Sequence, residues 1–143
     1  MNARVSMSRR RFAVAFGAFA LIASALAQDP AATVAALAAR EWLAYTDSLD
    51  AATTWERAGK QFKNAMSVST WTDALRKARE PRGKIERRAI VRTSFTRSIR
   101  GRPDADYALV LFRTAFAKRD AVESITLERE SDGVWRVIGY VIR

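Results

Sequence analysis

The C-terminal part of the chain alternates apolar runs with short polar turns. The runs are rich in aromatic, β-branched and large aliphatic residues, which are the types that favour strands. Asp132-Gly133 is a strong hairpin signal, because a tight turn needs positive φ angles that these residues accept, and Lys118-Arg119 is a weaker turn. Four segments are predicted to be strands: 84–99, 106–117, 121–130 and 134–142.

Two-residue loops at both turns fix the strand register by counting. They place Ile125 opposite Phe112 on one side and Tyr140 on the other, and Leu127 opposite Ile138. One face of the sheet is then apolar and requires a cover; it carries Val110, Phe112, Phe116, Ile125, Leu127, Ile138, Tyr140 and Ile142. The opposite face is half polar; it carries Leu109, Leu111, Arg113, Val122, Thr126, Glu128, Trp135 and Val137.

In the first half of residues 28–143, the apolar residues recur with a helical period. Three helices are predicted, beginning at Asp29-Pro30, Asp50 and Ser69, since Asp and Ser are good N-caps and Pro suits the first helical position. Pro81 and Gly83 end the third helix. The apolar stripes are Val34, Ala38, Trp42, Tyr45 and Leu49, then Trp55, Gly59, Phe62 and Met66, then Trp71, Leu75 and Ala78. Helices followed by an antiparallel sheet predict an α+β domain, in which aromatic stripes form core more often than a ligand pocket.

Residues 1–27 have the composition of an export signal. Four arginines precede an apolar run from Phe12 to Leu26, which is shorter than the roughly 20 residues of a membrane span. Small residues at Ala25 and Ala27 predict cleavage before Gln28. The Arg9–Arg11 run also resembles a twin-arginine signal, so both that route and the general secretory route stay open. An uncleaved membrane anchor is the alternative to a cleaved signal. We expect a periplasmic domain over residues 28–143.

Composition excludes several kinds of active site. The chain has no Cys and no His, so thiol nucleophiles, Ser-His or Cys-His pairs and nearly all zinc or copper sites are ruled out. The formal net charge is +10 for the whole chain, and loss of the four signal arginines lowers it to +6. Asp104 and Asp106 form a D-x-D pair that a turn explains better than a metal site does. We expect neither metal nor cofactor.

Region 76–102 is strongly basic, with eleven Lys or Arg residues and two acids. Clustered arginines can neutralise phosphates, but few aromatic residues accompany them for base stacking. An exported protein also rarely meets nucleic acid, so we expect no nucleic-acid partner. An anionic envelope surface is the better functional reading, and a solvated basic face is the simpler one.

Glu123 is the polar residue that the predicted register places on the apolar face, between Thr114 and Ile142. A carboxylate there must be paired, protonated or close to solvent. Arg88 and Arg92 of the first strand are the expected partners. The residue is a polar group in a pocket covered by the helices, or half of a buried or rim salt bridge that fixes packing, or the counted register is slipped.

Motifs spread over nearly all of the mature chain resemble the family catalogued as domain of unknown function 4019, whose members are small and mostly exported bacterial domains. The matching residues are Trp42-Leu43, Trp55-Glu56, Phe62, Trp71 with Ala74-Leu75, Arg79-x-Pro81-x-Gly83, Arg88, Gly101-x-Pro103 with Tyr107, Phe116-Ala117, Ala121-x-Glu123 and Asp132-Gly133-x-Trp135-Arg136-x-x-Gly139-Tyr140. The chain departs from the pattern at Arg100, where Pro is common, and at Asp106. The resemblance implies helices packed into a curved sheet, similar to cystatin-like or nuclear-transport-factor-like folds, and no established activity.

We therefore expect three helices on a four-stranded antiparallel sheet and a non-enzymatic module that binds a small ligand or an envelope protein. The residues predicted to bind a ligand are Glu123, Arg88, Tyr140 and Thr114. The residues predicted to form a partner or homodimer interface are Trp135, Leu111, Leu109, Val122 and Val137. One alternative is an enzyme with Glu123 as general acid or base; another is a binder of anionic envelope surfaces through region 76–102.

Overall fold

The computed structural model describes residues 29–143, which form an α+β domain, as predicted. The helices are α1 (Pro30–Asp47), α2 (Ala51–Arg57), α3 (Lys60–Ala65) and α4 (Val68–Arg79), followed by a 3-10 turn, Glu80–Arg82. The strands are β1 (Ile85–Thr96), β2 (Tyr107–Phe116), β3 (Asp120–Arg129) and β4 (Trp135–Ile142). They form one antiparallel sheet in the order β1-β2-β3-β4. The predicted signal segment and its cleavage site lie outside the described residues.

Four helices replace the predicted three because the second is interrupted at Gly59. Ala58 and Gly59 are extended rather than helical. The Gly59 N–H donates to the Val137 carbonyl at 2.8 Å, so the break ties the start of α3 to strand β4. A Cβ on Gly59 would lie 2.9 Å from Ile138 Cγ2, closer than packed carbon atoms approach. The close approach of backbone to β4 therefore explains why glycine stands inside an apparent helical stripe.

The helix starts follow the predicted capping chemistry at two of three positions. Asp29 Oδ1 accepts from the Ala31 N–H at 2.9 Å, and Asp50 Oδ1 accepts from the Thr53 N–H at 3.0 Å, which lowers the pKa of Asp50. Helix α4 is capped by Ser67 rather than Ser69.

The β2–β3 register differs from the counted one by two residues. The Phe116 N–H donates to the Arg119 carbonyl, so the turn lies one position earlier than Lys118-Arg119. As a result Phe112 pairs with Glu123 instead of Ile125. A shift of two residues leaves every side chain on its predicted face, because side chains alternate with a period of two.

The β3–β4 hairpin contains a three-residue loop and a bulge whose effects on register cancel. Glu130 pairs with Val134 across the loop, which shifts the register by one residue from a two-residue turn. Leu127 therefore pairs with Val137 instead of Ile138. A register irregularity between Thr126 and Leu127 then restores the predicted pairing of Ile125 with Tyr140. The segment between the loop and the bulge is therefore turned over relative to the prediction.

This turned-over segment corrects the predicted positions of Trp135 and Val137. Both were expected on the half-polar face, but Val137 is buried in the core and Trp135 packs against that core. The outer face, meaning the side of the sheet away from the helices, carries Arg87, Ala89, Arg92, Ser94, Leu109, Leu111, Arg113, Val122, Ser124, Thr126, Glu128, Gly139 and Val141.

The core lies between α1, the other helices and the inner face of β2, β3 and β4. Buried members from the helices include Trp42, Leu43 and Trp71, and those from the sheet are Ala108, Val110, Phe112, Ile125, Leu127 and Val137. Trp42 Nε1 donates to the Thr54 carbonyl at 2.9 Å and Trp71 Nε1 to Thr54 Oγ1 at 2.8 Å. The buried indole N–H groups are thus satisfied, as burial requires.

Strand β1 is an edge strand and is mostly exposed. Its pairing with β2 is interrupted twice, between Ile85 and Arg87 and between Ile90 and Arg92. Bulges of this kind bend and twist a strand locally.

The loop between β1 and β2 is fastened over one end of the sheet. Tyr107 donates its hydroxyl proton to the Pro103 carbonyl at 2.5 Å, and Arg102 donates to Gln61 Oε1 at 2.6 Å. Gln61 donates in turn to Glu128 at 2.7 Å. Within residues 29–143, no helix is both long and apolar enough to cross a bilayer.

Candidate functional site

The most unusual group of the domain is Glu123, a carboxylate with no exposed surface on the inner face of β3. Its Oε1 accepts hydrogen bonds from Arg79 at 2.5 Å and from the Tyr140 hydroxyl at 2.8 Å. Its Oε2 accepts from Arg88 Nε at 2.8 Å and from the Thr114 hydroxyl. Two carboxylate oxygens offer about four acceptor positions, so Glu123 has no free acceptor position left.

Asp47 is the second carboxylate of this cluster. Arg88 binds it through two parallel hydrogen bonds of 2.9 and 2.8 Å, which is the strongest geometry for this pair of groups. Arg79 also donates to Asp47. The cluster therefore contains two guanidinium groups and two carboxylates, and its formal charges balance.

Four of the cluster residues were predicted together: Glu123, Arg88, Tyr140 and Thr114. The structure brings all four into contact through the hydrogen bonds above, although the slipped register pairs Thr114 with Ala121 and leaves it diagonal to Glu123. Whether any of them binds a ligand stays a prediction. Arg92, the other expected partner of Glu123, lies on the outer face opposite Leu111.

Asp47 and Arg79 were missed, although the sequence contains a signal for both. Asp47 stands four residues after Leu43, and Arg79 four residues after Leu75, so each charged residue continues the buried side of its helix. By position alone, Arg79 is a basic residue in the last turn of its helix, which suits the negative end of the helix dipole. Its guanidinium instead lies in the core, 4.7 Å from the centre of the Phe116 ring, and 5% exposed.

Contacts within the cluster keep Arg88 charged and Tyr140 neutral. Burial disfavours the cationic form of Arg88, but hydrogen bonds to Asp47 and the charge of Glu123 outweigh it and raise the Arg88 pKa. Burial and the negative charge of Glu123 raise the pKa of Tyr140 well above its ordinary value. The Tyr140 ring packs against Trp42 and Trp71. Tyr140 thus stays a neutral phenol that donates to Glu123.

The cluster approaches solvent at Asp47, whose side chain is 19% exposed. An open cleft of about 320 Å³ begins there, between the end of α1 and the 3-10 turn. Its lining includes Asp47, Arg79, Glu80, Lys84 and Leu49. Glu123 does not line this cleft, so a molecule in it would meet the Asp47 side of the cluster first.

The acidic pair Asp104 and Asp106 lies in the loop before β2, where Asp106 is 3.8 Å from Arg97. Among residues 29–143 no three acidic side chains are grouped closely enough to hold a metal ion. The exposed members of region 76–102 are dispersed over helix α4, strand β1 and the following loop. Arg79, Arg82 and Arg88 of that region are instead turned toward the interior.

Comparison with known proteins gives one result. The family model described as protein of unknown function (DUF4019) matches residues 38–140, which include Asp47, Arg79, Arg88, Thr114, Glu123 and Tyr140. No curated protein and no solved structure matches the chain significantly. The match covers most of the chain, and the chain accordingly belongs to the DUF4019 family.

Proposed function

We propose that this protein is an exported accessory domain that acts by binding and has no catalytic centre. The observation that carries the proposal is the saturation of Glu123 by four donors. A general acid or base must come within hydrogen-bonding reach of the substrate, and Glu123 has neither exposed surface nor a free acceptor position. Its contacts suit a group that fixes packing.

The enzymatic alternative would require the cluster to open. Glu123 could act on a substrate only after losing Arg79, Arg88 or Tyr140, which would leave a charge buried without its partner at a high cost. Tyr140 cannot serve as a base in its place, because burial and Glu123 raise its pKa. Binding is therefore the better-supported function.

The proposed periplasmic location rests on the sequence, and the proposed fold relationship rests on the form of the sheet. An arginine-rich start followed by a short apolar run and small residues near Ala27 supports export to the periplasm with removal of residues 1–27. Helices packed on one face of a bulged antiparallel sheet agree with a cystatin-like or nuclear-transport-factor-like arrangement. Such folds host many functions, so the arrangement itself assigns none.

Native mass spectrometry of the processed protein from its own periplasm tests the proposal. We expect an intact mass that begins near Gln28, with the chain free of any small molecule at the cluster. A small molecule that is held at the cluster and chemically converted there, with the conversion lost in Thr114→Val and Tyr140→Phe, would overturn the proposal, provided that both variants stay folded by circular dichroism. These two variants keep the side-chain volume nearly constant, so they separate chemistry from packing.

A small ligand in the cleft beside Asp47 is the second candidate, favoured by the opposite charges that line that cleft. Lys84 and Glu80 line it without taking part in the ion pairs of the cluster. A retained ligand that disappears in the double variant Lys84→Ala/Glu80→Ala, with unchanged thermal stability, would support this candidate. A ligand that survives the double variant would exclude the cleft as its site.

A further inference from the structure

The outer face of the sheet combines exposed apolar side chains with exposed arginines. Leu109, Val122 and Val141 are 37%, 44% and 46% exposed. Arg92 lies opposite Leu111, and Arg113 lies opposite Val122. Each of these two arginines thus lies beside an apolar side chain of the adjacent strand, on one surface.

The charge of this face is not balanced locally. Arg87, Arg92 and Arg113 are all exposed, and none of them forms an ion pair within residues 29–143. Asp120, opposite Ala115, supplies one opposing charge at the end of the face. Glu128, at the other end, is engaged by Gln61. The centre of the face therefore carries net positive charge beside apolar surface.

The best-formed clefts of the described residues lie away from this face. Four of them are open at the surface, and none of these four is lined by Leu109, Leu111, Arg113, Val122 or Val141. An interface that recognises a specific protein usually seats a large side chain in a pocket. A flat lipid surface requires no such pocket, and it rewards shallow apolar burial together with cationic side chains.

We infer that the outer face docks onto the surface of an anionic phospholipid membrane. The arginines bind headgroup phosphates, for which the guanidinium fork is well shaped, and the side chains of Leu109, Val122 and Val141 enter the boundary between headgroups and acyl chains. This inference rests on the proposed binding function and names its partner. It differs from binding through region 76–102 as a whole, because Arg113, Val122 and Val141 lie outside that region.

Sedimentation with sucrose-loaded vesicles tests the inference. The processed chain is mixed with vesicles of phosphatidylglycerol and phosphatidylcholine in equal amounts, or of phosphatidylcholine alone. Intact mass first establishes that residues 1–27 are absent, since their apolar run would itself bind lipid. We expect binding to the anionic vesicles only, weakening as salt screens the charges.

Two double variants divide the surface into its parts. Arg92→Gln/Arg113→Gln should weaken binding about five-fold per arginine, at about 1 kcal/mol for each cationic residue near an anionic surface. Val122→Thr/Val141→Thr keeps β-branched side chains on the strands but replaces methyl groups by hydroxyls, and should weaken binding about four-fold per residue. The matched control Arg76→Gln/Lys77→Gln removes the same charge from exposed positions on α4 and should change binding little.

Three results would overturn the inference. The first is equal binding to neutral and anionic vesicles, or no binding to either. The second is a loss in the α4 control as large as that in Arg92→Gln/Arg113→Gln, which would mean that only net charge matters. The third is unchanged binding of Val122→Thr/Val141→Thr. A vesicle-negative protein that forms a complex with another protein through this face would leave the proposed function standing, whereas chemical conversion of a small molecule at Glu123 would refute the proposed function itself.

Discussion

Replacing Glu123 by Gln should be among the most destabilising conservative changes in this domain. The amide keeps the shape of the side chain but removes its charge, so Arg79 and Arg88 are left with Asp47 as their one carboxylate. The new NH₂ group also faces a guanidinium N–H, whichever way the amide is turned. Breaking a buried ion pair by removing one partner costs about 3–5 kcal/mol.

That cost is large against the whole stability of a domain of this size, about 5–15 kcal/mol. With a urea dependence of about 1–3 kcal/mol per molar, the unfolding midpoint should fall by about 2 M. Tryptophan fluorescence is a suitable probe, because Trp42 and Trp71 are buried beside Tyr140. The fold itself should survive, which circular dichroism checks.

Glu41→Gln is the matched control for this experiment. Glu41 pairs with Arg57 at 2.9 Å, but both side chains are largely exposed, so the same chemical change should cost at most about 1 kcal/mol. Adding Arg88→Gln to Glu123→Gln removes one charge of each sign, and the double variant should be less destabilised than the sum of the singles by about 1–3 kcal/mol. A Glu123→Gln cost as small as that of Glu41→Gln, or strict additivity with Arg88→Gln, would refute the assignment of Glu123 as a packing residue.

Three further predictions concern other parts of the domain. Gly59→Ala should cost about 1–3 kcal/mol in urea unfolding, because its Cβ would meet Ile138 Cγ2 at 2.9 Å. Arg82→Met should raise the free energy of unfolding by about 1 kcal/mol, since Arg82 is buried and its Nε has no partner among the described residues. The hydrogen bond from Arg136 lowers the pKa of Asp132 to about 2, from an ordinary value of 3.8. The stability that this ionised carboxylate contributes should be complete above pH 3.8 and disappear as pH falls through about 2. A carboxyl NMR titration measures the pKa of Asp132.

Each of these has a result that would contradict it. An unchanged midpoint for Gly59→Ala would mean that α3 moves freely away from β4. A loss of stability in Arg82→Met would mean that the guanidinium of Arg82 is paired within the folded protein in solution. In the titration, Arg136→Gln should move the Asp132 midpoint upward, and an unmoved midpoint would assign the low pKa to the hydrogen bond from the Val134 N–H instead.

Strands and helix starts could be predicted because their signals are local. Apolar patterning located all four strands within three residues of their observed ends, and Asp29 and Asp50 cap helices as their types suggest. The predictions that failed depend on contacts distant in sequence. Gly59 looked like one position of a helical stripe, and only its hydrogen bond to Val137 shows why the helix breaks there.

The candidate site was predicted in part for the same reason. Glu123 drew attention as a carboxylate on an apolar face, and strand periodicity alone reveals that position. Asp47 and Arg79 complete the cluster from two separate helices, and their positions in space depend on how those helices pack on the sheet. The reversed placement of Trp135 and Val137 followed from a loop of three residues instead of two, which no local residue preference decides firmly.

The interrupted pairing of strand β1 affects how the protein behaves at high concentration. A free edge of twelve residues offers unpaired backbone groups to any other chain. Where such an edge is flat and regular, it can start the growth of fibrils. The two irregularities of β1 disturb the spacing of those groups, while Arg87 and Arg92 place like charges on opposing copies. The β1 edge should therefore resist ordered pairing with other chains, and straightening β1 would remove that protection.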